Sequence, residues 1–341
     1  MHKPMLKAFF DDRRRDSRPM ALVLVTGTAG STYSKVGDCM LIDGDGRYQG
    51  MLSGGCLEGD LALHAEKVIA ANEAEILSYD LAADDELWGL GVGCDGRIDV
   101  MLLPLDAGGQ PFTGMYEVFA GRRDAHMAVV LTDERLPTGS AVIRGGDGTL
   151  HYAAPGTDGL LGEAPRHGAV REARGGEQRI LELRLSPAPR LLILGAGPDV
   201  APVLRFAREL GWRTTVADHR PAYVESDAAA IADASHAVVP AELGASLNPD
   251  DYDAAVVMSH HLASDRAYLE VLANSSIGYI GLLGPIARRD RLLADLGERG
   301  AELRDRLDGP AGLDLGGRGP AQIALSIIAG VQRYLAARNA A

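Results

Sequence analysis

Two glycine-flanked cysteines carry the most chemical potential in this sequence: Ser53-Gly54-Gly55-Cys56-Leu57-Glu58 and Gly91-Val92-Gly93-Cys94-Asp95-Gly96. Glycine lets a backbone turn sharply and approach a ligand closely, and a thiol in such a loop is more available than one inside an apolar run. Thiolates suit soft metal centres, and successive backbone N–H groups suit phosphate. Ser53, Gly54, Gly55, Cys56, Glu58 and Cys94 are therefore candidate binding residues, with Cys56 and Cys94 as the metal-facing pair. Cys39 lies in strand-like alternation and reads as structural. A third glycine turn, Gly195-Ala196-Gly197, is of the type that cradles nucleotide phosphates.

The elements that must position these loops follow from periodicity. Met20 to Val25 reads as a buried strand, and Cys39–Ile42 and Tyr48–Leu52 as a hairpin about Asp43-Gly44-Asp45-Gly46. That turn resembles a calcium loop only superficially: Arg47 stands where the third oxygen ligand belongs and Gly54 where the closing glutamate belongs. From Leu57, residues 61, 65, 68 and 69 share a helical face, which places Cys56 at a helix N-terminus where the dipole favours a thiolate or an anion. His64 reads as part of that helix's solvated face. Strands are expected at Ile98–Leu103, Met127–Leu131, Ser140–Arg144 and Ile180–Leu185, with an exposed connection over Pro155–Glu177.

Ser186-Pro187-Ala188-Pro189 has linker composition, which divides the chain into domains of residues 1–188 and 189–341. After it come strand Arg190–Leu194, the glycine turn, a helix from about Asp199 to Leu210, and strand Arg213–Ala217 ending in Asp218. Asp218 follows the first glycine by about 20 residues, the spacing of a ribose-binding carboxylate that favours NAD over NADP. Further strands at Ala254–Met258 and Ile277–Ile280 and a last helix over Ala321–Leu335 complete the pattern. The expected fold is an N-terminal α/β, mixed-sheet domain followed by a C-terminal Rossmann-like, doubly wound parallel sheet.

Two features set the glycine turn apart from an ordinary dinucleotide site. Val200 replaces the third small residue, and Pro198, read within the first helical turn, removes an N–H. His260 and His261 follow the strand ending at Met258, at the sheet edge where ligands bind, with Asp265 nearby. No Gly-x-Ser-x-Gly elbow accompanies Ser259-His260, so a hydrolytic dyad is not indicated.

Composition narrows the function classes. The 341 residues carry 34 basic and 47 acidic side chains, a formal charge of −13 that disfavours nucleic acid. Three cysteines without C-x-x-C spacing argue against a disulfide framework or zinc ribbon and for a reducing compartment. No apolar run reaches membrane-spanning length and residues 1–15 lack a signal core, so the chain is read as cytoplasmic.

The motifs taken in order resemble the XdhC/CoxI family. In the first half they are Gly30-Ser31-Thr32-Tyr33-Ser34-Lys35, Met40-Leu41-Ile42, the Cys56 loop and Gly89 to Gly96. In the second they are Gly195-Ala196-Gly197, Asp218-His219-Arg220-Pro221, Ser259-His260-His261, Tyr279 to Gly284 and Gly312 to Gly316. Ser259 and Pro285-Ile286-Ala287 depart from the pattern; with the latter, phosphate contacts there fall to Arg288 and Arg289. The resemblance implies an accessory protein that binds molybdenum cofactor (molybdopterin) and assists its sulfuration and insertion into a molybdenum hydroxylase such as xanthine dehydrogenase. It implies cofactor contacts from both glycine–cysteine loops and from Gly195, Gly197, Asp218, Arg220, His260 and His261, with NAD or another nucleotide as a second ligand of the Rossmann site. A cysteine desulfurase and a second copy of the chain are further partners compatible with it. A non-catalytic chaperone is favoured over an enzyme; the alternatives are an NAD(P)-dependent oxidoreductase and a sulfur or acyl transferase working through Cys56.

Overall fold

The computed structural model describes residues 3–55, 57–80, 96–162, 168–173 and 177–340. The chain divides into two compact units, Met1–Pro187 and Ala188–Ala341.

The first unit runs α1 (Lys3–Arg15), β1 (Met20–Ala29), β2 (Cys39–Asp43), β3 (Tyr48–Gln49), α2 (Glu58–Ala71), β4 (Glu75–Asp80), β5 (Arg97–Pro104), α3 (Phe112–Ala120), β6 (Ala125–Thr132), β7 (Ala141–Gly145), β8 (Leu150–Ala153), β9 (Ala169–Ala173) and β10 (Gln178–Leu185). Its strands form two five-stranded sheets, ordered β3-β2-β1-β5-β4 and β8-β7-β6-β10-β9. Every pair described in these sheets is antiparallel, so the mixed sheet expected from sequence is resolved into two antiparallel ones. β1 is buried on both faces. Leu22 and Leu24 join a core with Met127, Val129 and Leu181 of the second sheet, closed by Leu6, Phe10 and Phe112 of α1 and α3. Ala21, Val23 and Val25 point the other way, onto Leu61, Ala65 and Val68 of α2. This alternation fixes the strand register and holds α2 flat on the sheet. Asn72, in the left-handed conformation, ends the helix.

Three elements depart from expectation. β4, whose burial alternates along an edge, is too polar to read as a strand from composition. α3 follows the Pro104–Pro111 turn region without its own sequence signal. β9 lies inside the stretch read as exposed connection, recruited by pairing with β10, and Leu160 in that stretch is buried. Cys39 is buried, in keeping with a structural role.

The second unit runs β11 (Arg190–Leu194), α4 (Val200–Glu209), β12 (Arg213–Asp218), α5 (Pro221–Val224), β13 (Ala234–Ala237), α6 (Leu243–Ser246), β14 (Ala254–Val257), α7 (Leu262–Ala273), β15 (Ile280–Leu282), α8 (Ile286–Asp295), α9 (Glu298–Leu303), β16 (Leu307–Asp308) and α10 (Pro320–Ala340). The six strands form one parallel sheet, β13-β12-β11-β14-β15-β16, with helices on both faces. Leu191 and Ile193 face a core shared with Val200, Val203 and Leu204 of α4 and Ile327 and Val331 of α10. Leu192 and Leu194 face Tyr268, Leu269 and Leu272 of α7. Strands buried on both sides read as continuous apolar runs, which is how β11 and β14 announce themselves. The strand expected at Ile277–Ile280 is β15, which begins at Ile280, three residues later than expected, with Ile277 buried in the connection before it. No helix among the described residues is long and apolar enough to cross a membrane.

Candidate functional site

The glycine–cysteine loop is organised by one buried carboxylate. Between β3 and α2, Glu58 is 1% exposed. Its Oε1 accepts the N–H groups of Leu52 at 2.8 Å and Ser53 at 2.9 Å, and its Oε2 accepts the Ser53 hydroxyl at 2.7 Å and the Gly55 N–H at 3.0 Å. The Ser53 Oγ in turn accepts the Leu57 N–H at 2.8 Å. Burial pushes the Glu58 carboxyl up, but donors from Ser53 and Leu52 outweigh it and hold its pKa below the ordinary glutamate value. Converging N–H groups beside a helix N-terminus make an anion seat, and here the chain's own carboxylate fills it. The loop's donors thus fix its shape rather than wait for a phosphate.

What the loop offers instead is space. Gly54 and Gly55 have φ of +78° and +114°, and a Cβ at either would meet nothing within 4 Å among the described residues. Neighbouring segments converge on the same end of the first sheet. The Ser34 hydroxyl donates to the Leu52 carbonyl at 2.7 Å, and a Cβ on Gly96 would strike the Ser31 carbonyl at 2.4 Å. The family-like stretch from Gly30 to Lys35, the Ser53–Glu58 loop and the segment entering β5 therefore share one neighbourhood, with Tyr33 and Met51 exposed there. Cys56 and Cys94, expected to face a metal, lie outside the described residues, as do Gly91 and Gly93. Among the described residues no three His, Cys, Asp or Glu side chains are grouped so as to hold a metal ion.

Two features of this unit have local explanations. Asp43, fully buried, accepts the N–H groups of Asp45 and Arg47 and pairs with Arg13, which makes Asp43–Gly46 a structural turn. His64 is half-buried, 23% exposed in its side chain. Its Nδ1 lies 2.8 Å from Glu75, beside the hydrogen bond from Tyr79 to Asp60.

In the second unit, Gly195 and Ser259 meet where strand order reverses between β11 and β14, the crevice in which such sheets bind ligands. Gly195 has φ +122°, and a Cβ there would lie 2.6 Å from the Met258 main chain. Glycine is required by that close approach, and the approach closes the turn from one side. The Ala196 N–H donates to Asp218 at 2.9 Å. Asp218, 1% exposed, also accepts the Arg220 N–H and Nε, both at 2.9 Å, and Nη2 at 2.7 Å. Burial raises this carboxyl, yet Arg220 and the backbone donors pull it down to about 2. The Arg220 guanidinium lies 3.7 Å over the Tyr223 ring.

Pro198 stands before the α4 N-cap, Asp199, rather than in the first turn. The Asp199 carboxylate folds over Gly197, whose Cβ would meet it at 2.7 Å, and pairs with His260 Nε2 at 2.8 Å. His260 holds a left-handed φ of 59°, while the neighbouring His261 caps α7 through Ser264. Asp265 is buried under Arg288 and the Ser259 hydroxyl, and Arg289 binds the Gly309 carbonyl and Asp290. The two arginines expected to be available for phosphate are thus already engaged. Structure alone exposes Asp199, whose only sequence signal is an acidic residue directly after Gly-x-Gly-Pro, and Tyr268, whose buried hydroxyl has no partner among the described residues. A surface cavity of about 500 Å³ lies elsewhere in this unit, lined by Gly244, Asn248, Asp250, Glu270 and Arg299, and its Glu270–Arg299 pair is self-satisfied at 2.7 Å.

Comparison with known proteins adds an independent line. Residues 191–331 match the family model described as the XdhC Rossmann domain, and residues 13–80 match that of the XdhC and CoxI family. A Bacillus subtilis (strain 168) protein described as a probable xanthine dehydrogenase subunit is 30% identical to this chain over 336 residues, which cover 95% of this chain and 94% of that protein. The chain also superposes on a crystal structure described as a xanthine dehydrogenase from Bacillus halodurans, with a TM-score of 0.82 and 28% identity. That match covers 97% of this chain and 96% of the other.

Proposed function

Because this chain belongs to the XdhC and CoxI family, we propose that it is an accessory protein of a xanthine dehydrogenase-type molybdenum hydroxylase, carrying molybdenum cofactor as cargo. The observation that carries this reading is a likeness, running through both units, to a protein described as belonging to a xanthine dehydrogenase. The glycine–cysteine loop is consistent with it. Glu58 and Ser53 bind the backbone N–H groups of Gly55 and Leu57, and the space over Gly54 and Gly55 is clear of the described residues. In this proposal the Cys56 and Cys94 thiolates meet the soft dithiolene–metal end of the cofactor. A carrier must release what it holds, so a braced open loop serves better than a closed four-ligand cage. The client completes the handover once the cofactor has received its sulfur.

A nicotinamide oxidoreductase is the weaker reading. It needs a proton-transfer group beside the nicotinamide, whereas the nearest histidine, His260, is paired with Asp199. The test is anaerobic purification from a molybdenum-replete host, followed by metal analysis and fluorescence detection of oxidised pterin. The protein should bind the cofactor at low-micromolar affinity or better, on the order of −8 kcal/mol. A folded anaerobic sample that binds no pterin contradicts the proposal.

A further inference from the structure

The end of β12 presents to a ligand the opposite charge from the one its sequence advertises. Asp218 sits at the position of a ribose-binding carboxylate, where a free oxygen would accept the 2′-hydroxyl of NAD. Each of its oxygens already accepts two hydrogen bonds, Oδ1 from the Arg220 N–H and Nε, Oδ2 from the Ala196 N–H and Arg220 Nη2. A carboxylate has about four acceptor sites, so this one is full. It is also 1% exposed. A ribose hydroxyl would have to displace a buried charge-assisted bond to reach it, which is unfavourable.

Outside Asp218 lies Arg220. Its Nε and Nη2 face inward to the carboxylate, its plane stacks on Tyr223, and its side chain remains 35% exposed. A guanidinium has five N–H donors, so the fork that holds Asp218 leaves the Nη1 edge for an outside anion. His219, 38% exposed in its side chain, stands beside it, 3.4 Å from the same carboxylate. Asp218 partly offsets the positive charge, but it is 1% exposed while the Arg220 side chain is 35% exposed.

We propose that the Rossmann unit selects an adenosine 2′-phosphate group of the NADP type over a free 2′-hydroxyl, with Arg220 as the specificity-determining residue held in place by Asp218. This reverses the NAD preference expected from Asp218 alone, and it concerns a ligand separate from the cofactor cargo.

The full chain is titrated calorimetrically with adenosine 2′,5′-bisphosphate, 5′-AMP and inorganic phosphate, probes that lack the pyrophosphate and nicotinamide. The bisphosphate should bind at least about tenfold more tightly than 5′-AMP, equivalent to roughly 1.4 kcal/mol, and more tightly than phosphate. Arg220→Ala, with its fold checked by circular dichroism, should lose that preference, and Arg220→Lys should keep part of it. Equal binding of bisphosphate and 5′-AMP, binding of neither, or inorganic phosphate competing as well as the bisphosphate each overturns the proposal. So does a preference that survives in folded Arg220→Ala. The wild-type comparison alone decides the matter if the variants do not fold.

Discussion

Gly54 and Gly55 stand clear of the other described residues, whereas Gly195 is pressed onto the main chain of Met258 and Ser259. Both turns lead into a helix, and both give backbone N–H groups to a carboxylate of the chain itself, Glu58 in one case and Asp218 in the other. The difference lies in what remains outside. Around Glu58 the carboxylate is buried under the loop and satisfied by neutral donors, which leaves Gly54 and Gly55 open among the described residues. Around Asp218 an arginine covers the carboxylate, and Asp199 and His260 close over the glycine turn. A glycine motif therefore signals close backbone geometry; whether it cradles a phosphate depends on whether its donors are already taken.

Substitutions at these glycines should separate the two regions most sharply. Gly195→Ala must place a Cβ against main-chain atoms at a left-handed φ, and should cost more than about 4 kcal/mol or prevent folding. Gly55→Ala meets only the backbone strain, about 1–2 kcal/mol, and should fold. Denaturant unfolding of the pair checks this; similar losses would mean that the openness of the first loop is not real.

Removing the carboxylates is the next largest effect. Glu58→Ala strips four hydrogen bonds from the loop and should cost about 2–4 kcal/mol, while Glu58→Gln should recover part of it. Asp218 gives a pH signature of known sign. Its folded pKa of about 2 lies below the ordinary 3.8, so its contribution is complete above about pH 4 and is lost as pH falls toward 2. That contribution is about 2 kcal/mol. Acid titration of stability should show it in wild type and not in Asp218→Asn; an identical acid slope in both would contradict the assignment. The exposed His260–Asp199 pair is the smallest term. His260→Ala should change stability by less than about 0.5 kcal/mol, and a larger loss by calorimetry would make that clasp a structural element.

Most of the strand and helix pattern is legible in the sequence because it rests on apolar periodicity. The two-faced burial of β1 and β11, the Cys39–Ile42 hairpin and the helix from Leu57 all follow from side-chain spacing. β4 and β9 are not legible, since edge strands of Glu, Ser, Arg and Ala are made by pairing rather than by composition. At the sites, sequence identifies which residues matter better than what they do. Glu58 and Asp218 both read as ligand groups, and both turn inward to backbone donors. Arg220 and Arg288 are likewise near their expected places but paired with Asp218 and Asp265. Such pairings depend on rotamers and on residues brought together by the fold, which spacing along the chain does not encode.

In the proposed function the glycine–cysteine loop, not the glycine turn of the second unit, holds the cofactor cargo. The most direct test is pterin and molybdenum content of the full chain purified anaerobically, compared with Cys56→Ser, Cys94→Ser and Arg220→Ala. Wild type and Arg220→Ala should carry stoichiometric pterin, and each cysteine variant should lose at least about tenfold in affinity, roughly 1.4 kcal/mol. Full cofactor retention in both cysteine variants would contradict it.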